Sequence, residues 1–258
     1  MRRPLKIVVC AKQTPDPEFP PRLDPLTRRL VRDGPVTLDD ADAAGIEVGL
    51  RLGGDVILVS MAPGGEVAGV RKGLALGASS AVVVSDEAMA GADALATARA
   101  LAAAVRRVGP ADVVIAGTVS VDGYTGVLAS QLAELLGLPA LTFARGARLD
   151  ALADGAVLRA ERETEQGHDE VECALPCVLS VMTGSVTPRY PSYKAIVEAR
   201  SKPVEVVGLA DLGLAAPAVG QEVVSVAAAP VRAAGEVVDD EGRGHERILD
   251  LLVQLKVV

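Results

Sequence analysis

A chain of 258 residues, half of them hydrophobic, is long enough to bury a full α/β core, and with 2% aromatics and no Trp that core is built from Ala, Val and Leu. The formal net charge of −8 argues against nucleic acid as the main partner. The longest uncharged run, 173–188, holds Pro, Gly, Ser and Thr and falls short of the roughly 20 apolar residues of a membrane span, so membrane insertion is not expected.

The opening "MRRPLKIVVCA" has the basic start of a signal peptide, but Lys6 interrupts a short apolar stretch, which fits a first buried strand better. Strand-like runs follow at 5–11, 55–62, 80–85 and 112–116, short and β-branched, as in strands covered on both faces of a parallel sheet. Helical patterns separate them at about 39–53, 65–77, 92–108 and 124–137. The third is the clearest, Ala/Leu-rich, basic at Arg106 and Arg107, and stopped by Gly109-Pro110. This alternation predicts an α/β fold, a doubly wound, mostly parallel sheet with right-handed crossovers.

After residue 140 the rhythm changes. "ALTFARGARL", "AVLRAERET" and "VECALPCVLSVM" read as strands without intervening helices, and the charges of 159–172 suggest a hairpin-like insert or sheet extension. A Pro/Tyr loop, "TPRYPSYKA", leads to a short basic helix ending near Lys202-Pro203. Residues 204–244 have the Ala/Pro/Gly composition of an extended arm, closed by the helix "HERILDLLVQLKVV". The expected division is an α/β nucleotide-binding domain over 1–203 and a C-terminal arm and helix over 204–258, which either packs on a partner subunit or folds back.

Ligands bind open α/β sheets at loops beyond the strand carboxyl ends, here 10–17, 61–65 and 117–126. The last is the richest: in "TVSVDGYTG", Gly123 and Gly126 admit close backbone approach, and a helix start behind them favours an anion such as phosphate. Asp122 is read as the cap of that helix, as a ligand contact, or as both. Ser120 and Tyr124 have no nearby base, because the two histidines, His168 and His245, lie far along the chain, so a nucleophilic triad is not expected. G-x-G-x-x-G after the first strand and G-x-x-x-x-G-K-[ST] are both absent. Tyr190 and Lys194 have the Y-x-x-x-K spacing of short-chain dehydrogenases, but Pro191 disrupts a shared helix face. Asp39, Asp40 and Asp42 read as helix-start acids before a metal site. The three cysteines, Cys10, Cys173 and Cys177, make no paired framework and no usual zinc spacing, which fits a reduced, cytoplasmic protein.

Taken in order, "KIVVCAKQTPD", "RKGLALGASSAVVVSD", "GADALATARALAAAV", "VDGYTGVLASQLAELLGLP", "ERETEQGHDEVECALPCVLSV", "TPRYPSYKAIVEARSKPVEV" and the terminal "RAAGEV" plus helix resemble, over nearly the whole chain, the β subunit of an electron transfer flavoprotein, a family that includes the FixA-type proteins. The resemblance implies an adenine nucleotide alpha hydrolase-like sheet and a heterodimer with an α subunit that makes most FAD contacts. It implies AMP in this subunit, or a second FAD in electron-bifurcating members. Flavin dehydrogenases would be the donors. The chain would be an electron-carrier subunit without catalytic residues of its own.

Position by position, the resemblance places the nucleotide on Cys10, on Asp39, Asp40, Ala41 and Asp42, on Met61, and on Asp122, Gly123, Tyr124, Thr125 and Gly126. It turns the loop Lys12, Gln13, Thr14, Pro15, Asp16 and Pro17 toward the flavin. It matches Tyr193 to a loop that docks on the dehydrogenase and Glu163 to an acid that steadies the flavin domain. The sequence departs from the family pattern at Asp39 (usually Asn), at Gly117-Thr118-Val119 (usually Gly-Lys-Gln), at Tyr124 (usually acidic) and at Val127 (usually Gln). Those changes remove donors from the pocket and add Tyr bulk. Readings of other classes are a stand-alone adenine-nucleotide regulator resembling a universal stress protein, and an oxidoreductase using Tyr190 and Lys194.

Overall fold

The first apolar run forms β1 (Lys6–Cys10), nearly all buried, in a computed structural model that describes residues 4–257 apart from 153–154, 219, 228–229, 231–234, 236, 238–239 and 241. A short antiparallel ribbon follows, β2 (Gln13–Pro15) with β3 (Val36–Leu38), joined by the excursion 16–35. Then come α1 (Asp40–Arg51), β4 (Asp55–Met61), α2 (Ala68–Leu76), β5 (Ser80–Val84), α3 (Ala94–Val108), β6 (Val113–Gly117) and α4 (Leu128–Leu136). The chain continues through β7 (Ala140–Leu152), β8 (Gly155–Thr164), β9 (Gly167–Ala174), β10 (Cys177–Val181), α5 (Tyr193–Ala199) and β11 (Val204–Val207).

The main sheet has nine strands in the order β11-β5-β4-β1-β6-β10-β7-β8-β9. It is parallel from β11 to β7 and antiparallel through β8 and β9. Consecutive residues of β1 point into different cores: Ile7 and Val9 pack with Ile46, Leu58 and Leu74 on one face, Val8 and Cys10 with Leu101, Val105 and Leu132 on the other. Helices on both faces explain why the strands read as continuous apolar runs rather than as alternating ones. The expected doubly wound α/β sheet is therefore present.

Four details differ from the sequence expectation. Helix α4 begins at Leu128 rather than 124, because Tyr124 (φ 50°) and Gly126 (φ 66°) adopt left-handed backbone that no helix can include. "VECALPCVLSVM" is two strands, not one. Pro176, with no N–H for a ladder, separates β9 at the sheet's antiparallel edge from β10 between β6 and β7. The β8–β9 hairpin is the sheet extension expected at 159–172. Residues 204–207, assigned above to an arm, form β11, the edge strand parallel to β5. The first compact unit accordingly reaches Val223 instead of 203.

Lys202 reinforces that continuation, its Nζ donating to the carbonyls of Leu74 and Ala78 around the end of α2, while Arg71 on α2 donates to the carbonyls of Ala199, the last residue of α5, and Lys202 beyond it. In the second unit, 224–258, the terminal helix is α6 (Gly244–Gln254), with Ile248, Leu249, Leu251 and Val253 exposed. "RAAGEV" lies largely outside the described residues. No helix among the described residues is long and apolar enough to cross a membrane.

Candidate functional site: a cavity at the strand carboxyl ends

From β1 the chain steps outward to β4 and β5, then returns to β6 on β1's other side, so β1 and β6 flank the topological switch point where crossovers part. A cavity of about 240 Å³ opens there. Cys10, Ala11 and Lys12 line it from beyond β1, Ser60 and Met61 from the end of β4, and Gly117 to Ser120 from the end of β6. Gly123, Thr125, Gly126 and Leu128 close one side, and Asp93, Thr97 and Leu101 of the α3 region another. The three loops expected from the sequence thus converge.

Buried carboxylates hold these loops in place. Asp42, on the first turn of α1, accepts the Lys12 N–H at 2.7 Å and the Gly117 N–H at 3.1 Å, tying the ends of β1 and β6 together. Asp39 caps α1 through the Ala41 N–H and takes the Val121 N–H with its other oxygen, at 2.9 Å each. An acid where the family pattern has Asn thus serves as a double acceptor of backbone N–H groups. Burial, and next the charge of Asp39, push Asp42 up to about 7; burial likewise raises Asp39. Burial and then Asp42 push the Cys10 thiol up to about 12, so at neutral pH Cys10 presents a protonated thiol to the cavity.

Asp122 is not the cap of α4. Its carboxylate, 5% exposed, is bound by Lys12 and by Arg32, and Lys12 also donates to Ser120 Oγ at 3.3 Å. Burial alone would raise Asp122, but the hydrogen bonds and charges of Lys12 and Arg32 outweigh it and hold the carboxyl below its ordinary range. The cap position of α4 is Val127, whose side chain has nothing to donate or accept. Helices α1, α3 and α5 are capped by Asp39, Asp93 and Ser192, and α2 receives Gln13 Oε1 on the Gly69 N–H at 2.8 Å. Among the described residues of the first unit, α4 alone has no side-chain acceptor at its start, and Leu128 puts that start on the cavity wall.

Of the residues expected at the nucleotide, Cys10, Asp42, Met61, Gly123, Thr125 and Gly126 line the cavity, joined by Lys12 of the loop expected toward the flavin, whereas Asp39, Asp40, Ala41, Asp122 and Tyr124 stand behind or outside its lining. Tyr124 is 74% exposed, so the bulk expected in the pocket is not there. Gln13 and Thr14 are buried in the β2–β3 ribbon rather than free in a loop, while Pro15 and Asp16 are half-buried and Pro17 is exposed. Glu163 lies on β8 beside Arg145, at 3.5 Å. Tyr193 opens α5 and is 84% exposed. Tyr190 precedes that helix while Lys194 is on it, so the dehydrogenase pair has no common face. His168 sits on β9 against Arg145, away from the cavity. The described residues hold no metal-ligating cluster.

Sequence reading missed Ser60, Asp93, Thr97 and Arg32. Ser60 is 1% exposed, lines the cavity, and its hydroxyl has no hydrogen-bond partner. Its signal was its place at the end of an apolar strand, one residue before Met61.

These features fit an adenine nucleotide. Cys10, Val59, Met61 and Leu101 offer an apolar wall for a base, and Ser60 and Thr97 offer polar groups. The open start of α4 offers N–H groups to a phosphate. Both acids in the wall are engaged: Asp42 with two N–H groups, Asp93 with those of Ala96 and Gly220. A Cβ at Gly123 would stand 2.9 Å from Ser120 Oγ, so any side chain there would have to turn that hydroxyl aside.

Fold and cavity together define an α/β protein with a cavity at a sheet switch point. A family model described as "Electron transfer flavoprotein domain" matches residues 27–212. The electron transfer flavoprotein subunit beta of Mycobacterium tuberculosis is 34% identical, covering 98% of this chain and 99% of its own. A caffeyl-CoA reductase-Etf complex subunit, CarD, of Acetobacterium woodii is 34% identical over 84% and 83% of the two chains. Protein FixA of Azorhizobium caulinodans is 36% identical over 69% and 66%. The chain belongs to the electron transfer flavoprotein family, as a β-subunit-type member. The stand-alone regulator and oxidoreductase readings are not favoured by matches that run end to end with carrier subunits.

Proposed function

We propose that this chain is the nucleotide-holding, non-catalytic half of a cytoplasmic electron-carrying heterodimer. AMP sits in the cavity, and the FAD that carries electrons is bound mainly by an α partner. The observation that carries the AMP reading is the uncapped start of α4 on the wall of a cavity that the unpartnered Ser60 hydroxyl also lines. A cavity near 240 Å³ favours a mononucleotide over a dinucleotide, since pockets for larger ligands run to roughly 1,000 Å³. In this reading Cys10, Met61 and Leu101 flank the base, and Thr125, Gly126 and the first N–H groups of α4 hold the phosphate.

A flavin, when bound by the partner, supplies all the redox chemistry, and the protein's part is position and electrostatics. The segment Lys12–Pro17, which contains β2 and is tied down where Lys12 and Arg32 bind Asp122, faces that flavin. Tyr193, exposed beside Ile196 and Val197, is the anchor for a donor dehydrogenase, as buried aromatics commonly are in interfaces. Glu163 steadies the flavin-bearing domain, and the C-terminal arm with α6 packs on the partner subunit.

The deciding experiment releases nucleotide by denaturing the purified complex and identifies it by chromatography. One AMP per chain is expected, with FAD recovered only with the α partner. FAD retained by the isolated chain would overturn the mononucleotide reading and favour bifurcation. A complex with no nucleotide would leave the cavity without its proposed ligand and sink the reading. Gly126→Val, which forces a β-branched residue to positive φ, should cut AMP retention at least about tenfold if the loop holds the phosphate.

A further inference from the structure

Cys173 and Cys177 have no role in the carrier reading, and the tertiary structure does with them what their spacing did not announce. Cys173 is the penultimate residue of β9 and Cys177 the first of β10. These strands are far apart in the sheet order, at its antiparallel edge and between β6 and β7. The chain crosses between them in two residues, Leu175 and Pro176. That return sets both side chains on the same core face, Cys177 inside the cluster and Cys173 packed against it. The Cys173 thiol also donates to the Ala174 carbonyl at 3.4 Å. Cys173 is partly exposed, and Cys177 is fully buried in the core with Leu158, Leu179 and Val181. Both are free thiols, and Cys10 lies on the other core face.

We propose that Cys173 and Cys177 are a dithiol modification site that hydrogen peroxide closes to an intrachain disulfide, pinning the end of the antiparallel extension to the parallel sheet. The order of events follows from exposure. The Cys173 sulfur, reachable from solvent, attacks a peroxide oxygen, breaks the O–O bond and becomes a sulfenic acid, with one water leaving. The Cys177 sulfur then attacks the Cys173 sulfur, forming the S–S bond and releasing a second water, its thiol proton going with the departing hydroxide. Two thiols lose two electrons and two hydrogens, and one peroxide becomes two waters. Burial raises both thiols, Cys177 to about 12, so the pair is mostly protonated at neutral pH and responds to sustained rather than fleeting oxidant. Dithiol reductants reverse the bond.

The test uses the full chain in the assembly in which it purifies, exposed to hydrogen peroxide, denatured with iodoacetamide and digested with trypsin. Both cysteines fall in one tryptic peptide, 163–189. The expected result is loss of two hydrogens from that peptide, failure of either cysteine to alkylate, and recovery of both after dithiothreitol, while Cys10 alkylates throughout. In Cys177→Ser the resolving thiol is gone, so Cys173 should be trapped as a sulfenic acid by dimedone. In Cys173→Ser the buried Cys177 should stay a thiol. Wild-type Cys173 passing to sulfinic acid with Cys177 still free, both thiols still alkylating, or a cross-link between two chains would each overturn the proposal. The wild-type measurement decides the matter even if a variant folds poorly.

Discussion

The loops around the cavity and the antiparallel ribbon of β7, β8 and β9 are both rich in acids, and use them in opposite ways. At the cavity Asp39, Asp42 and Asp122 are buried, and Asp39 and Asp42 accept backbone N–H groups from loops distant in sequence. On the ribbon, Asp150, Asp169, Glu170 and Glu172 pair with Arg148, Arg159 and Arg162 on other strands, mostly the neighbouring one, all partly exposed. A buried acceptor fixes a backbone and is costly to remove, because its donors cannot turn to water. An exposed ion pair exchanges with solvent and counterions and contributes little alone. The first arrangement suits a preorganised binding site, the second a solvated surface that stays in register.

The contrast is broken most directly at Asp42. Asp42→Ala leaves the Lys12 and Gly117 N–H groups without acceptors and should cost roughly 2–4 kcal/mol in urea unfolding. A loss below that of a surface pair would remove the distinction. Asp122→Ala strands Lys12 and Arg32, and should cost about 2 kcal/mol, below the roughly 3–5 of a fully buried pair because both cations are about a third exposed. It should also weaken nucleotide retention, which an equilibrium dialysis against AMP would read.

A pH series sharpens the same point. Asp42 has a folded value near 7 against an ordinary 3.8. Between those values the folded chain keeps a proton that the unfolded chain has released, so this group's contribution falls as pH rises toward 7. Glu47 has the opposite sign: burial raises it, but Arg189 and Arg51 outweigh burial and bring it to about 2, so its stabilisation is present above about 4.5 and lost as pH falls toward 2. Over about pH 5 to 7 the wild type should therefore lose stability relative to Asp42→Asn. Parallel curves for the two proteins would refute the assignment.

The smallest effect belongs to the ribbon. Glu172→Ala removes one of several partners of Arg159 and should change stability by less than about 0.5 kcal/mol. A loss above about 1 kcal/mol would show that the ladder acts as a cooperative network.

Much of this was legible along the chain. β1, β4, β5 and β6 were readable as unbroken β-branched runs, and the uncovered start of α4 was hinted at by Val127 where the family pattern has Gln. Less visible was the work of Asp122. A carboxylate just before a helical pattern looks like a cap, and only the meeting of the 10–17 and 117–126 loops with Arg32 made it the partner of two cations.

Local order and periodicity, which depend on near neighbours, determined by themselves the doubly wound sheet and the three loops that meet at the cavity, and the quoted segments in their order carried the resemblance to the family. Long-range approach decided the rest, because hydrogen bonds and burial depend on distance in space. It closed Asp42 over the ends of β1 and β6, left Ser60 without a partner and turned Tyr124 to solvent. It made 204–207 an edge strand. It set two cysteines from strands well separated in the sheet on one core face, which C-x-x-x-C, read as a spacing, had not suggested.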